Sequence, residues 1–80
     1  MPLFMLHHRH RSDECPAVFA AWNGFDSPLR GTVATSSCQS GGHEIWLNVG
    51  SATQDEALRQ LPRYVADRTV VVRITEIEIP

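Results

Sequence analysis

The sequence lacks a long apolar run and an export signal. A short apolar stretch at 3–6 is followed at once by a histidine- and arginine-rich run at 7–11. A signal peptide carries its basic residues before a longer apolar region, so we do not expect one here. No run approaches the roughly 20 residues that a membrane-spanning helix needs. We therefore expect a cytoplasmic protein with no membrane role.

Cysteine is scarce as well, with only Cys15 and Cys38 among 80 residues. Two cysteines cannot define a disulfide framework, and in the cytoplasm we expect both to be reduced thiols. In an oxidising compartment the two cysteines could form one disulfide. The formal net charge is −2, which argues against a general role in binding nucleic acid or membrane surfaces. Internal repeats, linkers and low-complexity segments are also missing.

The composition is nevertheless that of a folded domain. Hydrophobic residues make up 42% and charged residues 20% of the chain. Its length allows a single domain, 1–80. A chain this short buries only about two-thirds of the surface that its unfolded form exposes. Small folds of this kind commonly gain further burial by forming oligomers.

The pattern of apolar and turn-forming residues predicts four strands and two helices. Alternation over 3–10 indicates a first strand with Met5 and His7 on one face and His8 and His10 on the other. A hairpin with a Gly41-Gly42 turn follows the first helix. Pro62 interrupts the second helical pattern, so we expect that helix to be kinked or broken. The predicted elements are a strand at 3–10, a helix from Ser12 or Asp13 to Gly24, strands at 32–38 and 44–49, a helix from Ser51 or Thr53, and a strand at 70–79.

This order of elements predicts an α+β fold of the ferredoxin-like βαββαβ type. The right-handed crossover rule places the third strand between the first and second. The antiparallel sheet order is then 4-1-3-2, with both helices on one face. The other face carries Trp46 and the apolar start of the first strand, which the helices cannot cover. We therefore predict a homodimer in which two such faces close into a barrel.

A resemblance agrees with this expectation. The element order, the chain length and the strand–Gly-Gly–strand–helix run at 36–68 resemble the dimeric α+β-barrel superfamily. Within it, the segment CQSGGHEIW at 38–46 is most similar to the hairpin of small bacterial families of unknown function. The superfamily also contains muconolactone-isomerase-like enzymes and small monooxygenases. The resemblance implies a bacterial homodimer, but it transfers no catalytic residue, because no catalytic motif matches residue by residue and one fold supports many chemistries.

Histidine and cysteine side chains are expected to meet at one end of this sheet. The predicted order brings the end of the first strand beside the hairpin, and Cys15 opens the first helix nearby. Imidazole and thiolate are the ligands that zinc, nickel and copper prefer. A transition-metal site is therefore one hypothesis, with His8, His10, Cys38 and His43 as ligands. The alternative is that the histidines lie on the rim and the thiols are small core groups. Cys15 has a further interpretation as a reactive thiol with His10 as its base.

The favoured functional interpretation is a small-molecule site between the sheet and the partner subunit. A mostly apolar cavity with a few polar groups suits a small organic ligand. The residues expected to line it are His8, His10, Trp46, Asn48 and Tyr64. Metal binding is the second interpretation, and a structural or interaction module without a ligand is the third. No reaction can be specified from the sequence.

Overall fold

A computed structural model describes residues 1–80 as a four-stranded sheet with three short helices. The strands are β1 (Leu3–Arg9), β2 (Thr35–Ser36), β3 (Glu44–Gly50) and β4 (Thr69–Ile74). The helices are α1 (Cys15–Ala20), α2 (Gln54–Arg59) and α3 (Arg63–Ala66), with single 3₁₀ turns at Ser12–Glu14 and Cys38–Ser40. No helix has the length and apolar character needed to cross a membrane.

The sheet is antiparallel throughout, in the order β2-β3-β1-β4. This confirms the predicted 4-1-3-2 order. In the register of the sheet, His7 lies opposite Trp46 on β3 and opposite Val70 on β4. His8 lies opposite Ile45 and Thr69. The register therefore places His8 at the end of the sheet that is nearest the β2–β3 hairpin.

Burial alternates along β1 because the helices cover one face of the sheet. Phe4, Leu6 and His8 are buried, whereas Met5 and His7 are only half-buried. The core is a single cluster between this face and the helices. Its seven buried members are Phe4, Leu6, Val18, Val49, Ala57, Leu61 and Val65. We call the opposite, uncovered side of the sheet the open face.

Three strands end earlier than the alternation predicts. β1 ends at Arg9 rather than at residue 10, β2 covers only 35–36 instead of 32–38, and β4 ends at Ile74 instead of 79. β4 pairs only with β1, whose first residue Leu3 lies opposite Ile74, so residues 75–80 have no neighbouring strand. The chain before β2 forms turns instead, in which the amide of Thr32 donates to the carbonyl of Leu29.

Both predicted helices are shorter in the structure than their apolar patterns predict. Pro62 separates α2 from α3, as its position in the pattern predicted. The hydroxyl of Thr53 caps α2 by accepting the amide of Glu56 at 3.1 Å. In α1, Val18 is fully buried but Phe19 is 52% exposed, so only part of the predicted stripe enters the core.

Candidate metal centre

Four side chains bring potential metal-ligating atoms together at the hairpin end of the sheet. They are His10, Cys15, Cys38 and His43, and one nitrogen or sulfur atom from each lies within 4.8 Å of the other three. All four residues are half-buried. We call this group the His/Cys cluster. A tetrahedral zinc ion bound through bonds of about 2.0–2.3 Å separates its ligand atoms by about 3.3–3.8 Å. The cluster needs only a small contraction to reach that geometry, so it can hold a metal ion.

The β2–β3 hairpin supplies two members of the cluster. The 3₁₀ turn at Cys38–Ser40 ends in Gly41, whose φ of 85° lies in the left-handed region. His43 also has a positive φ, 53°, the only such value at a non-glycine residue. Left-handed backbone costs free energy in a residue with a side chain. The hairpin holds His43 in this conformation next to Cys38.

Ser37 fixes the base of that hairpin. Its carbonyl accepts the amides of Ser40 and Gly42 at 3.0 and 2.9 Å, and its hydroxyl accepts the amide of Glu44 at 3.1 Å. A methyl group added at Gly42 would lie 2.5 Å from the Ser37 hydroxyl oxygen, closer than side chains pack. A side chain at position 42 would therefore force Ser37 to move. The turn is short, so it brings the side chains of Cys38 and His43 close together.

An ion pair positions Cys15 on the opposite side of the cluster. The carboxylate of Glu14, the preceding residue, accepts the Nε hydrogen of Arg68 at 2.9 Å and the amide of Arg11 at 2.9 Å. Arg68 also lies over the ring of Tyr64, 3.7 Å from its centroid. The amide of Arg11, followed by Arg68, lowers the pKa of Glu14, so the carboxylate is ionised in these contacts. The ion pair thus links the 3₁₀ turn before α1 to the segment between α3 and β4.

His8 contacts the cluster through His10 and determines which ring nitrogen of His10 can bind a metal. The Thr69 hydroxyl donates to the carbonyl of Val65 at 2.7 Å, so its oxygen is available as an acceptor. Nδ1 of His8 lies 3.2 Å from that carbonyl and 3.1 Å from the hydroxyl oxygen. Both partners accept, so His8 carries its proton on Nδ1. Burial is the largest cause of its lowered pKa, which favours the neutral ring, and Nε2 then accepts.

The acceptor on His8 fixes the proton of His10. Nδ1 of His10 lies 2.9 Å from Nε2 of His8 and must donate to it. Burial, followed by the charge of His43, lowers the pKa of His10 and keeps this ring neutral. Its Nε2 therefore carries a lone pair, which points to Sγ of Cys38 at 3.6 Å. A ligating histidine whose other nitrogen donates a hydrogen bond is the usual arrangement around protein-bound metals.

The remaining members of the cluster, His43 and Cys15, carry donor atoms of the types that zinc binds. Nδ1 of His43 is buried and has no hydrogen-bond partner. A buried, unsatisfied imidazole nitrogen costs free energy unless something binds it. Burial raises the pKa of Cys15, with a further contribution from Cys38. A raised pKa opposes the interpretation of Cys15 as an activated nucleophile, because that role needs the thiolate.

The structure brings together most of the residues predicted as metal ligands. His10, Cys38 and His43 belong to the cluster, and Cys15 occupies the place given to His8. His8 lies one hydrogen bond away and has no free nitrogen. Its supporting role was missed, although the alternation that puts His8 and His10 on one face of β1 was a signal for it.

The residues predicted to line one ligand cavity lie apart. Trp46 and Asn48 lie on the open face of the sheet, where they and Met5 line a cleft of about 340 Å³. His8 instead lines a second cleft of about 320 Å³, on the helix-covered side of the sheet. Tyr64 packs against Arg68 and lines neither cleft, and His10 belongs to the cluster. Arg30, which lines the second cleft, was not predicted from the sequence.

No protein-family model, curated protein or solved structure matches the chain.

Proposed function

We propose that the protein binds a transition-metal ion, zinc by preference, through His10, Cys15, Cys38 and His43. The observation that carries the proposal is the convergence of four such donors within 4.8 Å. Two sulfur and two nitrogen donors in a tetrahedral arrangement are typical of zinc. Nickel and copper prefer the same ligand types and are the competing ions.

The completeness of the donor set favours a structural or regulatory metal over a catalytic one. A catalytic zinc keeps one position for water or substrate, whereas four protein ligands fill a tetrahedral ion. The metal would join the end of β1, the start of α1 and the β2–β3 hairpin. We therefore infer that its effect is to hold these segments together.

Binding of the metal must expel protons from the two thiols. The raised pKa of Cys15 means that this thiol is protonated in the metal-free protein at neutral pH. Thiolates, not thiols, are metal ligands, so affinity rises with pH. The Nε2 lone pair of His10 is available without any rearrangement because His8 already holds the other nitrogen.

Native mass spectrometry of the untagged protein, before and after addition of Zn²⁺, Ni²⁺ or Cu²⁺, tests the proposal. We expect one retained metal ion per chain, and Co²⁺ substitution should give the charge-transfer absorption of cobalt–thiolate bonds. His10→Asn and Cys38→Ser should abolish both signals. His7→Asn is the matched control, because His7 lies on the open face next to Glu44. The proposal fails if no metal is retained and none raises the unfolding temperature.

A second candidate function is the binding of a small molecule at the open face of a homodimer. The cleft with Trp46 and Asn48 supports it, as do Val70 and Val72, which are 62% and 49% exposed on the same face. This second proposal also includes a ferredoxin-like fold and a cytoplasmic location. It further includes the closed dimeric barrel of the superfamily that the chain resembles. Free cysteines agree with a reducing compartment.

Sedimentation equilibrium tests the dimer directly. We expect the mass of two chains for the wild type and of one chain for Val72→Arg, because the substitution places a charge in the apolar interface. The same measurement on Arg73→Glu, a change on the helix-covered side of β4, should leave the mass unchanged. A monomeric wild type at high protein concentration would rule the dimer out.

A further inference from the structure

The helix-covered side of the sheet contains a second cleft, which shares only Leu29, Thr32 and Leu47 with the cleft of the open face. Its volume is about 320 Å³, which lies at the lower end of the range for small-molecule sites. Phe19 of α1 and Trp22 in the turn after it form one wall, and Ile45 and Leu47 of β3 form the other. The turn at 29–34, which precedes β2, borders the cleft.

The inner end of the cleft is apolar despite the histidine there. His8 lines the cleft, but both of its ring nitrogens are already engaged, Nδ1 with the Val65 carbonyl and the Thr69 hydroxyl and Nε2 with His10. The ring therefore has no nitrogen left with which to bind a ligand in the cleft. A molecule seated there would meet aromatic and aliphatic surface along its length.

The rim of the cleft has one cationic group without an acidic partner. Arg30 makes no ion pair, and its only side-chain hydrogen bond is a long one, 3.4 Å, to the carbonyl of Phe25. The turn that carries Arg30 is well ordered by hydrogen bonds. The hydroxyl of Ser27 donates to the carbonyl of Gln60 at 2.6 Å, and the amide of Arg30 donates to the carbonyl of Ser27 at 3.2 Å.

We propose that this cleft is a binding site for a small organic acid with an apolar body, whose carboxylate is held by Arg30. The planar guanidinium group offers two parallel N–H donors that match a carboxylate. An apolar cleft with one cation at its opening selects such a molecule over an uncharged or cationic one of the same shape. The proposal does not depend on the metal.

Octanoate is a suitable probe, with 1-octanol as its uncharged counterpart. In Trp46→Phe the remaining Trp22 lines the cleft and reports binding by its fluorescence. We expect a saturable change with octanoate and affinity for 1-octanol weaker by about tenfold or more. Arg30→Gln should weaken octanoate by about the same factor without changing 1-octanol. Arg73→Gln, which also removes an arginine without an ion pair, should change neither affinity.

Chemical-shift mapping on the full chain, with and without Zn²⁺, locates the bound octanoate. Shifts at Phe19, Gly31 and Ala34, which line only this cleft, are expected. Shifts confined to Met5 and Asn48, which line only the cleft of the open face, would overturn the assignment. The absence of saturable binding, equal affinity for the two probes, or an unchanged affinity in Arg30→Gln would overturn the proposal.

Discussion

His8 is a buried histidine whose two nitrogens both have partners, and one of those partners is a ligand of the proposed metal. Replacing it with Phe keeps the volume of the ring and removes both nitrogens. The carbonyl of Val65 keeps the Thr69 hydroxyl as donor. His10 loses the acceptor that fixes its tautomer, so we expect zinc affinity to fall by about 10- to 100-fold.

A competition titration with a chromophoric zinc chelator measures this change. His7→Phe is the matched variant, since it alters the neighbouring residue on the opposite face of β1. Its affinity for zinc should equal that of the wild type. An equal loss in both variants would mean that His8 contributes only to the fold.

The lowered pKa of His8 also predicts how the stability of the metal-free protein depends on pH. Above pH 6.5, the ordinary value for histidine, the ring is neutral in the folded and the unfolded chain, and it contributes no pH dependence. Below pH 6.5 the unfolded chain binds a proton that the folded chain does not. The free energy of unfolding therefore falls as the pH drops, until the lower pKa of the folded state is passed.

Denaturation by urea at a series of pH values, in the presence of a chelator, measures this slope. His10 contributes in the same direction, because its pKa is lowered too. The slope should be smaller in His8→Phe than in the wild type. An identical slope in the two proteins would contradict a neutral His8 in the folded chain.

At the level of elements, the β2–β3 hairpin links backbone geometry to the cluster. Gly42→Ala would bring its new methyl group to 2.9 Å from Cβ of Ser37 and closer to the hydroxyl. We expect it to lower the free energy of unfolding by about 1–3 kcal/mol and to weaken zinc binding, because Cys38 and His43 lie on either side of the turn.

A double-mutant cycle identifies the cause. In Ser37→Gly the clashing side chain is absent, so Gly42→Ala should cost less in that background than in the wild type. Gly50→Ala is the control, since a methyl group there meets nothing within 4 Å. If Gly42→Ala costs the same in both backgrounds, the contact with Ser37 is not what requires glycine.

The sequence predicted the elements best where the pattern was local and strong. The alternation of β1 and the break at Pro62 depended on such patterns, and the sheet order followed from the right-handed crossover rule. The ends of β2 and β4 did not follow from them, because a strand ends where its neighbour ends, and pairing is a long-range property. Convergence of His10, Cys38 and His43 followed from the sheet order. Cys15 was expected near them because it opens the first helix just after β1, but it was not among the four predicted ligands. The ion pair of the preceding Glu14 with Arg68 joins distant segments and follows from no local pattern.

The molecule as a whole has a small core for its length. Ten of its 80 residues are buried, and seven of these form the hydrophobic cluster. Such a fold gains much from any ligand that binds only the native state. At a free Zn²⁺ concentration 100 times Kd, the gain is about 2.7 kcal/mol. For a domain of this size that corresponds to a rise of about 10–20 °C in Tm.

Differential scanning calorimetry with and without zinc checks this expectation. The double variant Cys15→Ser and Cys38→Ser provides the comparison, because it keeps the chain length and charge but removes both sulfur ligands. Its Tm should be independent of zinc. An equal rise in the two proteins would assign the stabilisation to sites outside the cluster.

The positions of the four ligands along the chain have a consequence for motion. His10 and Cys15 precede the segment 16–37 and Cys38 and His43 follow it, and this segment contains only α1 and the two residues of β2 as regular structure. A bound metal would close it into a loop tied at both ends, with the cleft-bordering turn inside. Amide hydrogen exchange within 16–37 should then slow on metal binding far more than exchange in α2 or β4, and the protein would have a tether whose release loosens one side of the molecule.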